Sequence, residues 1–280
     1  MKNLKSISLC NQILHVVLTA YLAGCAASED KTVYQSVEDI RTARIGLVLG
    51  TTHDAYVAAN FKDAQIIRME SEPDMFIAIQ KDKCDVLFAD FTSFIYAQNE
   101  YPNLIEAESD FPPDFYGMGF NKNNTALRDS FNDFLIGIKE TGVYDQIYNR
   151  WIINGMESEM PKIDIPVDGA ALRVAIPGTQ YPFSFYKEQE LVGFDIEIIS
   201  RFAAATGRPI EFQSISFGSL IASVQAGKAD VISAAMSITE ERSRNIAFSD
   251  PYFETRTVVA TIDKSVSIGG ESGSKGFFEG

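Results

Sequence analysis

Arg242, Ser237 and Asp90 are the side chains whose types and settings best suit the handling of charged groups. A guanidinium is a flat fork of N–H donors that can hold both oxygens of a carboxylate, which the point charge of a lysine cannot. Ser237 stands five residues before Arg242, ahead of a short helical stretch from Thr239 to Asn245. Its hydroxyl, the nearby backbone N–H groups and the helix N-terminus suit the same anion. A structural role fits as well. Ser237 would cap the helix, Glu240 would complete a capping box, and Arg242 would be a solvated neighbour of Arg244. Asp90 follows the apolar strand Asp85 to Ala89 and precedes a helix, where it can face a cation or serve as an N-cap. Gly50-Thr51-Thr52 likewise ends a buried strand, Arg44 to Gly50, ahead of a helix beginning near Asp54. Glycine permits close backbone approach there, and Thr51 fits a cap.

Other chemistries find few residues. Histidine occurs twice and cysteine three times in 280 residues, so zinc sites built on several His or Cys ligands are not expected, and no cofactor or metal is called for. A Ser-His-Asp triad would have to use His53, and no partner for it is visible. The net charge of -14 and a pI near 4.6 argue against nucleic-acid binding, which needs a surplus of Lys and Arg. Hydrophobic residues at 46% and charged residues at 22% are ordinary for a globular chain.

The chain opens with Lys2 and Lys5, then an apolar stretch from Ile13 to Ala20, then Leu22-Ala23-Gly24-Cys25. This resembles the lipobox of bacterial lipoproteins, in which the cysteine is lipidated and becomes the new N-terminus. A membrane span is the alternative, but the run is short of the ~20 apolar residues one needs. Residues 1–24 are therefore read as a signal peptide, Cys25 as a lipid anchor and 25–42 as a tether. Cleavage removes two lysines and no acid, lowering the charge from -14 to -16. Only Cys84 then remains as a free thiol, in an apolar strand, and reads as a small core residue.

Strands and helices alternate beyond the tether, which predicts an α/β layer structure. Strands are expected at 44–50, 65–69, 85–89, 172–176, 210–213, 230–234 and 254–262. Helices are expected at 74–81, 91–98, 126–140, 143–153, 194–204, 217–225 and 239–245. Gly142 breaks one helical pair, and residues 156–170, with Pro161 and Pro166, read as a linker. The stripe Phe194, Ile196, Ile198, Ile199 and Phe202 is core, and Trp151 packs at a helix end. A weak repeat pairs Gln80–Val86 with Gln225–Val231, each reading as helix end, tight turn and strand start. It points to two similar lobes.

The stretch Leu172–Ile262 resembles the first part of the bacterial solute-binding proteins of family 3, which bind polar amino acids. The matching residues are Pro182-Phe183-Ser184-Phe185, Gly193 to Glu197, Phe217 to Ile221 and Ala226 to Val231. The sharpest match is Met236-Ser237-Ile238-Thr239-Glu240-Glu241-Arg242, followed by Phe248-Ser249-Asp250-Pro251-Tyr252. Residues 38–152 resemble the remainder, through Ile45 to Thr52, Asp85 to Asp90 and Leu127 to Trp151. The order is reversed, as in a circular permutation with the old ends joined at 156–170. A broken tandem of two copies is the alternative. The implied fold is a two-lobed type II periplasmic-binding-protein fold with a hinge and an interlobe cleft. The small lobe would be 43–118, and the large lobe 119–155, its C-terminal helices, plus 171–264, its main part. Residues 265–280 read as a flexible tail, and Ile268–Gly280 resembles the junction ahead of an ABC-transporter permease.

The resemblance implies that Arg242 and Ser237 hold an amino-acid carboxylate, and that Asp90 and the Ala235 carbonyl take the α-ammonium. Thr52, with Thr51 beside it, would reach the carboxylate from the second lobe, and binding would close the cleft. Phe217 and Gln180 or Tyr181 would line the side-chain pocket. Pro177 falls where glutamine-, histidine- and lysine-binding relatives carry an Asp, which argues against a basic ligand. The implied function is a non-catalytic, monomeric receptor for an ABC amino-acid importer. It would work with an inner-membrane permease on the periplasmic side, held there by its N-terminal lipid. A sensory ligand-binding module and a dehydratase-like enzyme of the same fold are the alternatives.

Overall fold

The computed structural model describes residues 37–107 and 110–265, all within one unit of the chain. The signal peptide, Cys25, nearly all of the tether and the tail beyond 265 lie outside the described residues. The strands and helices, in chain order, are β1 (Arg44–Val48), α1 (Thr52–Asn60), β2 (Gln65–Met69), α2 (Glu72–Gln80), β3 (Val86–Asp90), α3 (Phe91–Glu100) and β4 (Leu104–Ala107). They continue with β5 (Pro113–Tyr116), β6 (Gly119–Phe120), α4 (Thr125–Glu140), α5 (Val143–Tyr148), β7 (Leu172–Ile176), β8 (Thr179–Gln180), β9 (Ser184–Lys187) and β10 (Glu190–Val192). The remainder are α6 (Phe194–Ala205), β11 (Ile210–Ser214), α7 (Leu220–Gln225), β12 (Val231–Ile232), α8 (Glu240–Ser243), β13 (Ala247–Phe248) and β14 (Phe253–Ile262).

Two large sheets organise these elements, and β10-β9-β8 form a small third one. The first runs β2-β1-β3-β14-β4, with β5 paired to the start of β14; the second runs β11-β7-β12-β6-β13. Strands β1, β2 and β3 are parallel, as are β11, β7 and β12. Parallel strands are buried on both faces and read as continuous apolar runs. Ile45, Leu47, Val86, Leu87 and Phe88 are fully buried in one sheet, and Leu172, Val174, Ala175 and Ile176 in the other.

One expectation needs correction. The sequence reading places strand β14 in the large lobe with the rest of 171–264, but it lies in the first sheet, antiparallel to β3 and β4. Its Thr, Val and Ala side chains are buried against those strands, and its first residues pair with β5. The chain thus crosses between sheets twice among the described residues, through Gly117–Met118 and through 249–252. The crossings are bonded side by side: Ser249 N–H to Met118 O at 2.9 Å and Tyr252 N–H to Tyr116 O at 3.0 Å. These two adjacent segments are the connections between the sheets.

The weak repeat is real in three dimensions. Arg44 on β1 grips Asp85 at 2.6 Å, and its Nη1 donates to Asp82 O at 2.8 Å. Arg173 on β7 grips Asp230 at 2.6 Å, and its Nη1 donates to Gly227 O at 2.7 Å. Both turns pass through the left-handed region, at Asp82 (φ 55°) and Gly227 (φ 69°). Each lobe therefore fastens the turn before its third parallel strand with the same arginine clamp. Cys84, beside the first clamp, is buried, and burial pushes its thiol up to about 12. Trp151 is fully buried and donates its indole N–H to Glu197 at 2.7 Å.

Candidate functional site

One cavity lies where the two sheets face each other. Its walls include Thr51, Thr52, His53, Glu72 and Asp90 from the first lobe, and Gln180, Phe217, Ala235, Ser237 and Arg242 from the second. Eight of the nine residues expected at a ligand therefore share it. Tyr181 does not: its ring packs at 4.7 Å from Phe185 and stacks on Tyr96, because an aromatic ring gains more in that core than at a polar wall. The free space at the centre is about 30 Å³, room for a water or two. An amino acid needs the walls to part.

Arg242 is 8% exposed, not a solvated surface residue. Its Nη1 donates to Ser237 O at 3.0 Å and its Nη2 to Gly50 O, in the other lobe, at 3.2 Å. Its guanidinium lies 5.4 Å from the Phe217 ring centroid, so Phe217 orients the cation as well as forming a wall. The capping role considered for Ser237 belongs to Thr239, whose hydroxyl accepts from Arg242 N–H at 3.1 Å. Ser237 is buried and donates to Asp114 Oδ2 at 2.6 Å. Gly50 (φ 78°) approaches Gly218 closely across the lobes, so a Cβ at Gly50 would stand 3.0 Å from the Gly218 Cα.

Asp90 holds the N-cap position of α3, but its side chain makes no capping bond. The carboxylate instead faces the cavity wall, with His53 Nε2 at 3.8 Å. Burial pushes Asp90 up to about 7. His53 is buried, bonded to the Thr257 hydroxyl at 3.2 Å, and burial pushes it down to about 4, so it is neutral at physiological pH. Thr51 does cap α1, accepting from Asp54 N–H. Thr52 begins that helix on the cavity wall.

The Ala235 backbone is fixed from behind. Its φ is 41°, and its N–H donates to Asp195 Oδ2 at 2.9 Å. Asp195 is fully buried and also accepts from the Tyr252 hydroxyl, at 2.8 and 2.9 Å. Asp195 therefore holds the strand end that turns into the cavity.

Sequence reasoning missed Glu72 and Asp114. Glu72 opens α2, two residues before the expected helix start at Asp74. Its Oε1 accepts from Ser93 at 2.9 Å and its Oε2 from Tyr181 N–H at 3.3 Å. Burial and the nearby Asp90 push it up to about 8. The signal was Ser71-Glu72-Pro73, a cap followed by Pro near the helix start, which moves the N-terminus back to the cleft. The Oε1 of Gln180 has no hydrogen-bond partner among the described residues.

Residues 172–268 match the family described as bacterial extracellular solute-binding proteins, family 3. A probable histidine-binding protein of Campylobacter jejuni is 31% identical over 97 residues, 35% of this chain and 38% of that protein. A probable histidine-binding protein of Neisseria gonorrhoeae is 35% identical over 101 residues, again 35% and 38%. An ancestral arginine-binding protein bound to arginine is 44% identical over 30% of this chain and 38% of its own, with a TM-score of 0.30. The matches span less than half the length of these relatives. The part of the chain that is similar to the family 3 bacterial extracellular solute-binding proteins is thus residues 172–268 of its 280.

Proposed function

We propose that this chain binds a free amino acid between its lobes and delivers it to an ABC-transporter permease, as the substrate-binding component of an importer. One observation carries the reading: a buried guanidinium, Arg242, and a helix-start carboxylate that caps no helix, Asp90, stand on the two sides of one cavity. A free amino acid offers a carboxylate and an ammonium a few ångströms apart, and each end finds its opposite. The Ser237 hydroxyl and the Thr52 N–H supplement Arg242, and the Ala235 carbonyl supplements Asp90. Because each lobe supplies one pole, binding favours the closed arrangement by differential contact. The relatives are named as binding proteins, which favours a receptor over an enzyme.

Three further parts belong to the same reading. Residues 38–152 would be the family's second part placed first, a circular permutation joined through 156–170. Cys25 would carry the lipid that holds the protein at the periplasmic side of a membrane. Among the described residues no helix is long and apolar enough to cross a membrane.

Titration calorimetry of the purified chain against the twenty amino acids tests the proposal. At least one should bind in the micromolar range or tighter. Arg242→Lys, which keeps the charge but loses the fork, should weaken it ten- to hundredfold. Binding by none, or binding untouched by Arg242→Lys and Asp90→Asn, refutes the assignment.

A further inference from the structure

The cavity is far better supplied with acceptors than an amino acid's backbone groups require. Among the described residues that line it, Arg242 is the one lysine or arginine. Against it stand Asp90 and Glu72 on the wall, Glu70 at the rim, and Asp114 behind Ser237. Asp90 and Asp114 both act on Arg242. Glu72 is different. It is 8% exposed, and the groups acting on it are Asp90 and the two donors Ser93 and Tyr181 N–H, none of them a cation. Each oxygen has accepted one hydrogen bond, and a carboxylate has about four acceptor sites, so capacity remains.

A second, independent feature points the same way. Gln180 is 9% exposed and lines the cavity from the opposite lobe. Its Oε1 is buried with no partner. An unpaired buried acceptor is unfavourable, so a donor arriving from a ligand would remove a standing penalty.

We propose that the ligand is an α-amino acid with a basic side chain, whose distal cation is received by the Glu72 carboxylate and the Gln180 Oε1. The proposal rests on the amino-acid reading above and deepens it. Arg242 takes the carboxylate, Asp90 the α-ammonium, and Glu72 the second positive charge. A cationic side chain can pair with Glu72 as it gives up its proton, whereas a neutral ligand leaves Glu72 protonated and forms no ion pair there. Pro177 does line the cavity and leaves its own wall uncharged. On this proposal the acid absent at Pro177 would come from the facing lobe, at Glu72, against the sequence expectation of a non-basic ligand.

The test compares arginine and lysine with their neutral counterparts citrulline and glutamine, by calorimetry on the purified chain at pH 7.5. Arginine or lysine should bind at least about tenfold more tightly than either neutral ligand. Glu72→Gln should abolish that preference, bringing arginine and lysine to within about threefold of citrulline in the same variant. Gln180→Leu, as a second variant, should weaken the basic ligand more than citrulline. Citrulline or glutamine binding as well as arginine, or a preference that survives Glu72→Gln, overturns the proposal and leaves amino-acid binding intact. No binding by any amino acid overturns both.

Discussion

Glu72→Gln also has a stability signature that needs no ligand. The carboxyl is buried and holds its proton up to about 8, against an ordinary 4.5. The groups facing it are Asp90 on β3, Ser93 on α3 and Tyr181 beyond β8. In the unfolded chain the same group releases its proton near 4.5. Between those values the folded state binds more protons, so this group's contribution to stability is full below pH 4.5. It then declines as pH rises to about 8. By linkage the loss at pH 8 is at most about 5 kcal/mol, and coupling to Asp90 and local relaxation reduce it. Glutamine cannot ionise, and keeps one acceptor for Ser93 or Tyr181, giving up a hydrogen bond of about 1 kcal/mol. The variant should therefore be less stable than the parent by about 1 kcal/mol at pH 4.5 and more stable by about 2 kcal/mol at pH 8. Urea denaturation at both pH values reads this as midpoint shifts of opposite sign with unchanged slope. Equal shifts at the two pH values would refute the placement of a buried, unpaired carboxyl at 72.

Other parts of the fold make their own predictions. Gly193 has φ 132°, and an added Cβ would stand 2.3 Å from Phe183 O; Gly193→Ala should cost more than about 3 kcal/mol in urea denaturation. The clamps at Asp85 and Asp230 are partly exposed, so Asp85→Asn and Asp230→Asn should each cost only about 1 kcal/mol. Their separation should make the double variant additive within about 0.5 kcal/mol. The buried Cys84 thiol should react with a water-soluble disulfide reagent only on unfolding, and rapid reaction of the native protein would contradict its burial.

Much of this architecture is written in local sequence. The runs Arg44–Val48, Gln65–Met69 and Leu172–Ile176 are apolar enough to mark parallel strands, and the element order then predicts the layers. The Gln80–Val86 and Gln225–Val231 repeat foretold a shared turn, though not the arginine clamps, whose partners are 41 and 57 residues apart. Strand β14 was recognised, but its sheet was not, because Thr- and Val-rich sequence fits either sheet and only long-range pairing decides. At the site, Arg242 and Asp90 could be named from sequence, since fork geometry and strand-end position are local properties. Whether they capped helices or faced a ligand was not local. It turned on Thr239 taking the cap and on Asp90 making no capping bond. Glu72 went unrecognised because an acid in the first turn of a helix is commonplace. Its significance comes from Ser93 and Tyr181, which reach it from distant parts of the chain.

The central claim is that one amino acid is held by its two ends, one in each lobe. The most direct measurement is a crystal structure of the chain with the tightest-binding amino acid. The ligand carboxylate should lie on the Arg242 guanidinium and the α-ammonium within hydrogen-bond distance of Asp90. A ligand bound outside this cavity, or touching only one of those two residues, would contradict it.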